Sequence, residues 1–281
     1  MLNLQGLIKV RLKMQKRILI VSQEINPYIT EGSIAENVLD LAKILKKNRE
    51  AEIRLFMPKY GCVNERRHQL HEVIRLSGVN IVVNDIDQPL IVKVASIPQA
   101  RIQVYFIDND EYFQRKIILT EKDKSLIVDN DERMMFFCRG VLETLQMLSW
   151  SPDIIHCHGW MTSLLPLYLK KRYETHPVFS STKVITSLYQ EPFKGSLNKK
   201  LLEKIKFDGI DSESLNLLAN PNLENLHKIA AQFSDGIIFE SQYKNSRLLD
   251  LVYSSGVPVL NSVEPTEYYN FYQNFFSEEL V

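Results

Sequence analysis

A strand, a glycine-containing loop and a helix follow one another near the start of the chain, and this unit constrains the fold more than any other stretch. Residues 17–21 form a short, β-branched-rich apolar run, typical of a central parallel strand. After Pro27 and Gly32, apolar residues recur at helical spacing: Ile34, Val38, Leu41, Ala42 and Leu45. The loop of such a unit lies beside a helix N-terminus, so the pattern predicts a site for a phosphate-bearing ligand.

Composition narrows the class of protein. The chain has 281 residues, of which 45% are hydrophobic and 24% charged, which is typical of a soluble globular protein with one large or two small domains. A formal net charge of zero argues against nucleic acid or an anionic membrane as a partner, because both require a basic excess. No apolar run approaches the roughly 20 residues that span a bilayer.

The three cysteines, Cys62, Cys138 and Cys157, lack the spacing of a metal site. They fit a reducing cytoplasm without a disulfide framework, and we predict that all three are buried. The protein is therefore expected to be cytoplasmic, with no metal and no cofactor.

Residues 23–36 carry a family resemblance. The strand is followed by Glu-Ile-Asn-Pro-Tyr and then by Thr30, Glu31, Gly32 and Ser33, with Glu36 in the first helical turn. This segment resembles the opening of bacterial glycogen synthases and plant starch synthases, which read Ser-Glu-Val-Ala-Pro-Phe and then Lys-Thr-Gly-Gly-Leu. In that family the loop lysine approaches the phosphates of the nucleotide sugar. Here Thr30 is neutral and Glu31 repels phosphate.

Further segments resemble the same family. Residues 51–58 are predicted as a strand ending in Met-Pro-Lys-Tyr-Gly, and residues 104–108, which include Tyr105, match a Tyr-Phe-Ile-Asp strand. Residues 116–129 read as a surface loop before an amphipathic helix over residues 131–148. This helix resembles the family's Asp-Asn-x-x-Arg-Phe helix, and its apolar stripe predicts core packing.

The most specific motif is His-Cys-His-Gly-Trp at residues 156–160. It resembles the family's His-x-His-Asp-Trp, with His156, His158 and Trp160 matched and the sugar-holding aspartate replaced by Gly159. A strand that ends in His-x-His predicts two imidazoles facing the same cleft as the Gly32 loop. A structural role, with both histidines hydrogen-bonded to neighbouring loops, is the alternative. A metal site is poorly supported, since no third ligand can be assigned.

The next strand, residues 183–187, ends in Leu-Tyr-Gln, where the family has a histidine that contacts the sugar. Leu188 takes that position and cannot hydrogen-bond, and Gln190 matches the family's glutamine. Three functional positions have therefore changed together: lysine to Thr30, aspartate to Gly159 and histidine to Leu188. These changes indicate a lost reaction.

Three segments are predicted along the chain. Residues 1–13 are an N-terminal extension, with Met14 as an alternative start, residues 14–260 a starch synthase N-terminal-like domain, and residues 261–281 a C-terminal aromatic helix. Tyr268, Tyr272 and Phe275 share one stripe of that helix. The helix either docks on the domain or presents these rings as a glucan-stacking or partner-binding platform.

The predicted fold is α/β, a single Rossmann-like doubly wound domain equivalent to the N-terminal half of a GT-B glycosyltransferase. We expect the second domain of that arrangement, which holds the nucleotide, to be absent. One hypothesis is a non-catalytic domain that binds a glucan, a sugar or a protein partner. The other is a transferase from ADP-glucose to α-glucan, completed by a second polypeptide.

No catalytic residue is assigned. The candidate ligand-binding residues are Thr30, Glu31, Gly32, Ser33, Glu36, Tyr105, His156, His158, Trp160 and Gln190. Phosphate binding would also require cations, because a departing diphosphate needs charge stabilisation. The basic residues predicted nearby are Lys59, Arg115 and Lys194.

Overall fold

The computed structural model describes residues 15–47, 51–98, 100–191, 193–210, 213–240, 243–262 and 264–276, with only the backbone of Ser214. The predicted N-terminal extension and Met14 lie outside these residues. In the described part the strands are β1 (Lys16–Ser22), β2 (Ala51–Pro58), β3 (His71–Glu72), β4 (Asn80–Val83), β5 (Ile86–Pro89), β6 (Ile91–Ile97), β7 (Ile102–Asp108), β8 (Ile154–His158), β9 (Lys183–Leu188), β10 (Gly236–Phe239) and β11 (Val259–Asn261).

Most of these strands form one sheet, in the order β11-β10-β9-β8-β1-β2-β7-β6-β3. All pairings from β11 to β7 are parallel, whereas β6 and β3 are antiparallel. β1 lies between β2 and β8, which explains why its run from Ile18 to Val21 is fully buried. The predicted α/β fold with a mostly parallel sheet is confirmed.

The helices alternate with the strands along most of the chain. They are α1 (Ser33–Lys47), α2 (Glu65–His68), α3 (Asp110–Phe113), α4 (Asn130–Met147), α5 (Leu165–Lys171), α6 (Leu201–Phe207), α7 (Leu223–Gln232), α8 (Ser246–Ser254) and α9 (Pro265–Tyr272). The start of α7 is set by Asn222, whose side chain accepts from Asn225 N, and that of α8 by Asn245, which accepts from Leu248 N.

Helix α4 buries charged side chains as well as the predicted apolar stripe. The Arg133 guanidinium is fully buried and donates to the carbonyl oxygens of Tyr112 at 3.0 Å and Ile118 at 2.7 Å. These bonds hold the long loop that precedes α4 against the domain. Lys204 of α6 pairs with Asp131 at 2.6 Å, so α6 is anchored to the start of α4.

The C-terminal helix α9 packs against α1. Tyr268, Phe271 and Tyr272 are buried, at 1%, 7% and 0% exposure, whereas Tyr269 and Phe275 are half-buried. The prediction that this helix docks on the domain is confirmed. The alternative, an exposed aromatic platform, is wrong because the rings of Tyr268 and Tyr272 pack against His156 of β8, with centroids 5.6 Å apart in both pairs.

The cysteines divide into two environments. Cys138 and Cys157 are buried as predicted, but Cys62 is exposed, because it lies in the loop that follows β2. The prediction of burial is therefore wrong for Cys62. Within the described ranges no helix is long and apolar enough to cross a membrane.

Candidate functional site

A cavity of about 690 Å³ opens at the carboxyl ends of β1 and its neighbours, and we call it the cleft. One wall is the loop from β1 to α1, and another is formed by the segments that follow β8 and β9. The loop before α4 and the loop after β2 contribute the remaining sides, through Lys116 and Cys62. Parallel strands bring all of these loops to one edge of the sheet, where ligands of α/β proteins bind.

The Gly32 loop turns the chain from β1 into α1. Gly32 has a φ of 116°, a conformation that only glycine adopts easily. A Cβ here would lie 2.5 Å from Oε1 of Glu24, so the Glu24 carboxyl packs directly on the loop. The backbone N–H of Ala35 donates to this carboxyl, and burial raises the pKa of Glu24 to about 7. The first turn of α1 therefore already binds the Glu24 carboxyl through a backbone N–H.

A second carboxyl lies on the wall formed by β8 and β9. Oε2 of Glu191 accepts from Gln23 Nε2 at 2.8 Å, and its Oε1 accepts from Trp160 N at 2.9 Å. Burial raises the pKa of Glu191 to about 8, against the two hydrogen bonds, which lower it. Gly159 makes this arrangement possible, because a Cβ there would lie 2.3 Å from Gln23 Oε1.

The two motif histidines lie beneath the cleft and are fully buried. His156 Nδ1 lies 2.6 Å from Tyr272 Oη, and its Nε2 lies 2.8 Å from Ser187 Oγ. His158 Nδ1 lies 2.7 Å from Tyr189 Oη, and its Nε2 lies 3.1 Å from His156 Nδ1. With the proton of both neutral rings on Nε2, His156 donates to Ser187 Oγ and His158 Nδ1 accepts from Tyr189. The single lone pair of His156 Nδ1 is then shared between the Tyr272 hydroxyl and His158 Nε2–H.

Burial lowers the pKa of His158 to about 3 and lowers that of His156 well below its ordinary value. The imidazoles are therefore neutral structural groups at physiological pH. The prediction that they face the cleft is wrong, because the C-terminal helix and β9 supply partners that seal them. Tyr189, bonded to His158, lines the cleft in their place.

The remaining candidates fall into two groups. The structure brings six of them together around the cleft: Thr30, Glu31, Gly32, Ser33, Trp160 and Gln190. Two others lie elsewhere. Glu36 is on α1 but does not line the cavity, and the Tyr105 ring stacks on Phe56 in the sheet, with centroids 4.8 Å apart. The match of Tyr105 to a family strand reflects its place in the sheet.

The predicted cations do not reach the cleft. Lys59 is buried and pairs with Glu65 at 2.7 Å, Arg115 pairs with Asp129 at 2.5 Å, and the exposed Lys194 does not line the cavity. Of the described lining residues, Lys116 is the one lysine or arginine. Leu188 is also absent from the cleft, because it packs in a hydrophobic cluster with Ile237.

Sequence analysis missed Gln23, Lys116, Tyr189 and Glu191, and it matched Glu24 to the family without assigning it to the site. Glu191 directly follows Gln190, which was predicted as a site residue. The position of Glu191 just after β9 could therefore have predicted it as well. Lys116 had no such signal, since its place depends on the buried Arg133 that folds the preceding loop. In the part of the chain that the structure describes, no three His, Cys, Asp or Glu side chains form a metal-binding group.

Chemically, the cleft offers hydrogen-bonding side chains beside aromatic surface. Gln23, Gln190 and the two carboxyls supply donors and acceptors, and Trp160 and Tyr189 supply ring surface. Polar groups flanked by aromatic rings suit a polyhydroxylated ligand. The parallel sheet and the cleft at its carboxyl edge define the class, a Rossmann-like domain of GT-B glycosyltransferase type.

Comparison with known proteins specifies the family. Residues 17–257 match the family model described as starch synthase catalytic domain, and the chain belongs to this family. It is 37% identical over 197 residues to the glycogen synthase of Chlorobium limicola, covering 70% of this chain and 40% of that protein. It is 30% identical over 263 residues to that of Chlorobium phaeobacteroides, covering 90% of this chain and 54% of the relative.

A solved structure has the same fold. The catalytic domain of starch synthase IV from Arabidopsis thaliana, bound to ADP and acarbose, superposes with a TM-score of 0.70 at 19% identity. The match covers 88% of this chain and 51% of that one. The chain thus spans about half the length of the proteins it resembles.

Proposed function

We propose that this chain binds an α-glucan or a related sugar in the cleft and does not transfer glucose by itself. The observation that carries this proposal is the composition of the cleft wall. Among the described residues that line it, Glu24, Glu31 and Glu191 are acidic and Lys116 alone is basic. A departing nucleoside diphosphate needs several positive groups around its phosphates. Neutral sugars need hydrogen-bonding groups and ring surface, and both are present.

Family membership and the ligands of the Arabidopsis neighbour, ADP and acarbose, support a carbohydrate ligand. Thr30 supports the absence of transfer, because it stands where the family's loop carries a phosphate-contacting lysine. Leu188 supports it as well, since its side chain packs in the core, away from the cleft. Thr30 follows β1 and Leu188 ends β9, so one local rearrangement does not restore both.

Calorimetric titration tests the proposal directly. Purified chain is titrated with maltotetraose and, separately, with ADP-glucose, and glucosyl transfer is measured with labelled ADP-glucose. We expect heat with maltotetraose, weak or absent heat with ADP-glucose, and no transfer. Thr30→Trp places a ring in the cavity at an exposed position and should abolish maltotetraose binding.

The matched control is Thr175→Trp, an equally exposed threonine in the turn after α5 that does not line the cleft. It should bind maltotetraose as wild type does. If both variants bind equally, the sugar site is elsewhere. If wild-type chain gives no heat with maltotetraose, the proposed function is wrong.

Lys116 favours a second candidate, a transferase completed by a second polypeptide. This lysine is exposed in the cleft, and none of the described residues forms a hydrogen bond or ion pair with its ammonium. The candidate predicts ADP-glucose binding that Lys116→Ala removes and Lys122→Ala, on the same loop, does not. Absence of that difference excludes it.

A further inference from the structure

Glu191 is a fixed carboxyl group in the cleft wall that no sequence motif accounts for. Its two oxygens are bound by donors from two separate segments, Gln23 Nε2 at 2.8 Å and Trp160 N at 2.9 Å. A free glutamate side chain samples many rotamers, and ordering it at binding costs free energy. Here that cost is already met in the folded chain, so the carboxyl is preorganised to face a ligand.

Gly159 and Gln23 form the support of this carboxyl. Gly159 has a φ of 83°, and a Cβ at this position would lie 2.3 Å from Oε1 and 2.7 Å from Cγ of Gln23. The Gln23 side chain therefore occupies the space in front of Gly159. The backbone N–H of Gln23 donates to His158 O at 3.2 Å. This bond holds the backbone of Gln23 beside β8, from where its side chain reaches Glu191.

The remaining hydrogen-bonding capacity of Glu191 is available to a ligand. Each carboxylate oxygen has two lone pairs. Each of the two oxygens accepts one hydrogen bond from the protein, so one lone pair on each oxygen is unused. An ionised Glu191 therefore has acceptor capacity left for hydroxyl groups. Both protein partners are donors, so a protonated Glu191 has no acceptor in Gln23 or Trp160 and its O–H is free for the cleft.

The charges around Glu191 are mostly acidic. Glu24 and Glu240 raise its pKa further, beyond the effect of burial. Among the described residues, the other titratable groups that face it or share the cleft are Tyr28, Glu31, Tyr60, Cys62, Lys116, Tyr189 and Tyr243. Of these groups only Lys116 carries a positive charge at neutral pH. Negative potential in a partly closed cleft opposes an anionic ligand.

We propose that Glu191 determines ligand specificity in the cleft: its ionised carboxylate accepts hydrogen bonds from the hydroxyl groups of a neutral sugar and repels phosphate groups. This assignment rests on the proposed sugar-binding function. The proposal makes Glu191 the residue that discriminates between the two ligand classes. Removing its charge should weaken the binding of a neutral sugar and strengthen the binding of a phosphate-bearing ligand. A residue with only a structural role would weaken both.

The first test compares Glu191→Gln with Glu174→Gln in titrations with maltotetraose and ADP-glucose at pH 9, above the pKa of about 8 at which Glu191 ionises. Both variants remove one negative charge, but Glu174 is exposed in the turn after α5 and does not line the cleft. We expect Glu191→Gln to lose at least about tenfold in maltotetraose affinity, the usual effect of a lost hydrogen bond to a charged group. It should gain about fivefold or more for ADP-glucose, whereas Glu174→Gln changes either affinity less than about twofold.

Glu191→Asp separates charge from geometry. It keeps the negative charge but shortens the side chain, so it should lose maltotetraose affinity and still exclude ADP-glucose. Urea midpoints of all variants identify any that fail to fold. If Glu191→Gln is unfolded, the aspartate variant alone decides: retained maltotetraose affinity would overturn the assignment.

The pH dependence gives a readout that a structural role does not change. ADP-glucose keeps its charge between pH 6 and 9, so a change in its affinity reports the protein. Wild-type affinity should rise as pH falls through about 8 and about 7, where Glu191 and Glu24 take up protons. In Glu191→Gln the upper part of this rise should be missing, whereas Glu174→Gln should keep it.

The outcomes separate the two proposals. If wild-type chain does not bind maltotetraose, the sugar-binding function fails, and the ADP-glucose titrations still test Glu191. Equal effects of Glu191→Gln and Glu174→Gln on ADP-glucose affinity, or an unchanged pH profile in Glu191→Gln, overturn the role of Glu191. They leave sugar binding by wild-type chain intact.

Discussion

Two neighbouring regions at the carboxyl edge of the sheet bury ionisable groups in opposite ways. Beneath the cleft, His156 and His158 are sealed in a network in which every ring nitrogen has a partner. In the cleft wall, Glu24 is buried and Glu191 half-buried, yet both line the cavity, and the hydrogen bonds of Glu191 leave acceptor capacity for a ligand. Both regions derive from segments that resemble the same family. The difference shows that burial and partners, more than residue type, separate a structural group from a binding group.

Cysteine labelling should show the largest contrast between these regions. Cys157 lies between the two histidines and is fully buried, whereas Cys62 is exposed and lines the cleft. We expect iodoacetamide to modify Cys62 at least about 100-fold faster, because a buried thiol reacts only after local opening. Peptide mass spectrometry measures both rates in one sample. Comparable rates would mean that the end of β8 opens to the cleft. Bound maltotetraose should slow the labelling of Cys62 and leave that of Cys157 unchanged.

Replacing a histidine of the sealed network should destabilise the fold and spare the ligand. His156→Leu leaves Tyr272 Oη and Ser187 Oγ without their partner, which we expect to cost about 3 kcal/mol in the free energy of unfolding. Urea unfolding measures this loss. The control, His176→Leu, removes a half-buried ring near the opposite edge and should cost less than about 1 kcal/mol. A loss of maltotetraose affinity without a loss of stability would place His156 in the site.

The two regions should also respond to pH with opposite sign. The histidines have lowered pKa values, so the unfolded chain binds more protons and stability is lost as pH falls below the ordinary value of 6.5. The carboxyls have raised pKa values, so the folded chain binds more protons and stability is lost as pH rises from 4.5 through about 7 for Glu24 and about 8 for Glu191.

Between pH 4.5 and 6.5 these effects oppose each other, and between pH 6.5 and 8 only the carboxyls contribute. Thermal or urea unfolding should therefore show wild-type chain losing stability from pH 6.5 to 8. Glu191→Gln should reduce this loss by roughly 1–2 kcal/mol. An identical slope in the variant would mean that Glu191 is already ionised in the folded chain at pH 6.5.

The smallest effects are expected at the two candidates outside the cleft. Tyr105→Phe removes a hydroxyl that donates to Gln103 at 3.0 Å, and Glu36→Gln changes a residue of α1 that does not line the cavity. Each should change maltotetraose affinity less than about twofold, since neither side chain lines the cleft and distant substitutions have nearly independent effects. Calorimetry with both variants checks this. A tenfold loss in either would extend the binding site beyond the cleft.

The sequence by itself determined the α/β fold and the cleft's first wall. The apolar run of β1, the Gly32 turn and the stripe of α1 are local patterns, and each was predicted within a residue or two. The strand ending in His156 and His158 was also predicted, because β-branched runs and turn residues act over a few positions. Resemblance over the same segments placed Thr30, Trp160 and Gln190 at one site.

Only the tertiary structure decided which side chains reach the ligand. Tyr272 comes from a helix more than 100 residues beyond His156 and seals it, and Asp129 and Glu65 neutralise the cations expected in the cleft. The Glu191 carboxyl is held in the cleft wall by a hydrogen bond from Gln23, which lies 168 residues away in the chain. Burial and hydrogen-bond partners are set by contacts between distant segments, and local sequence periodicity carries no information about them.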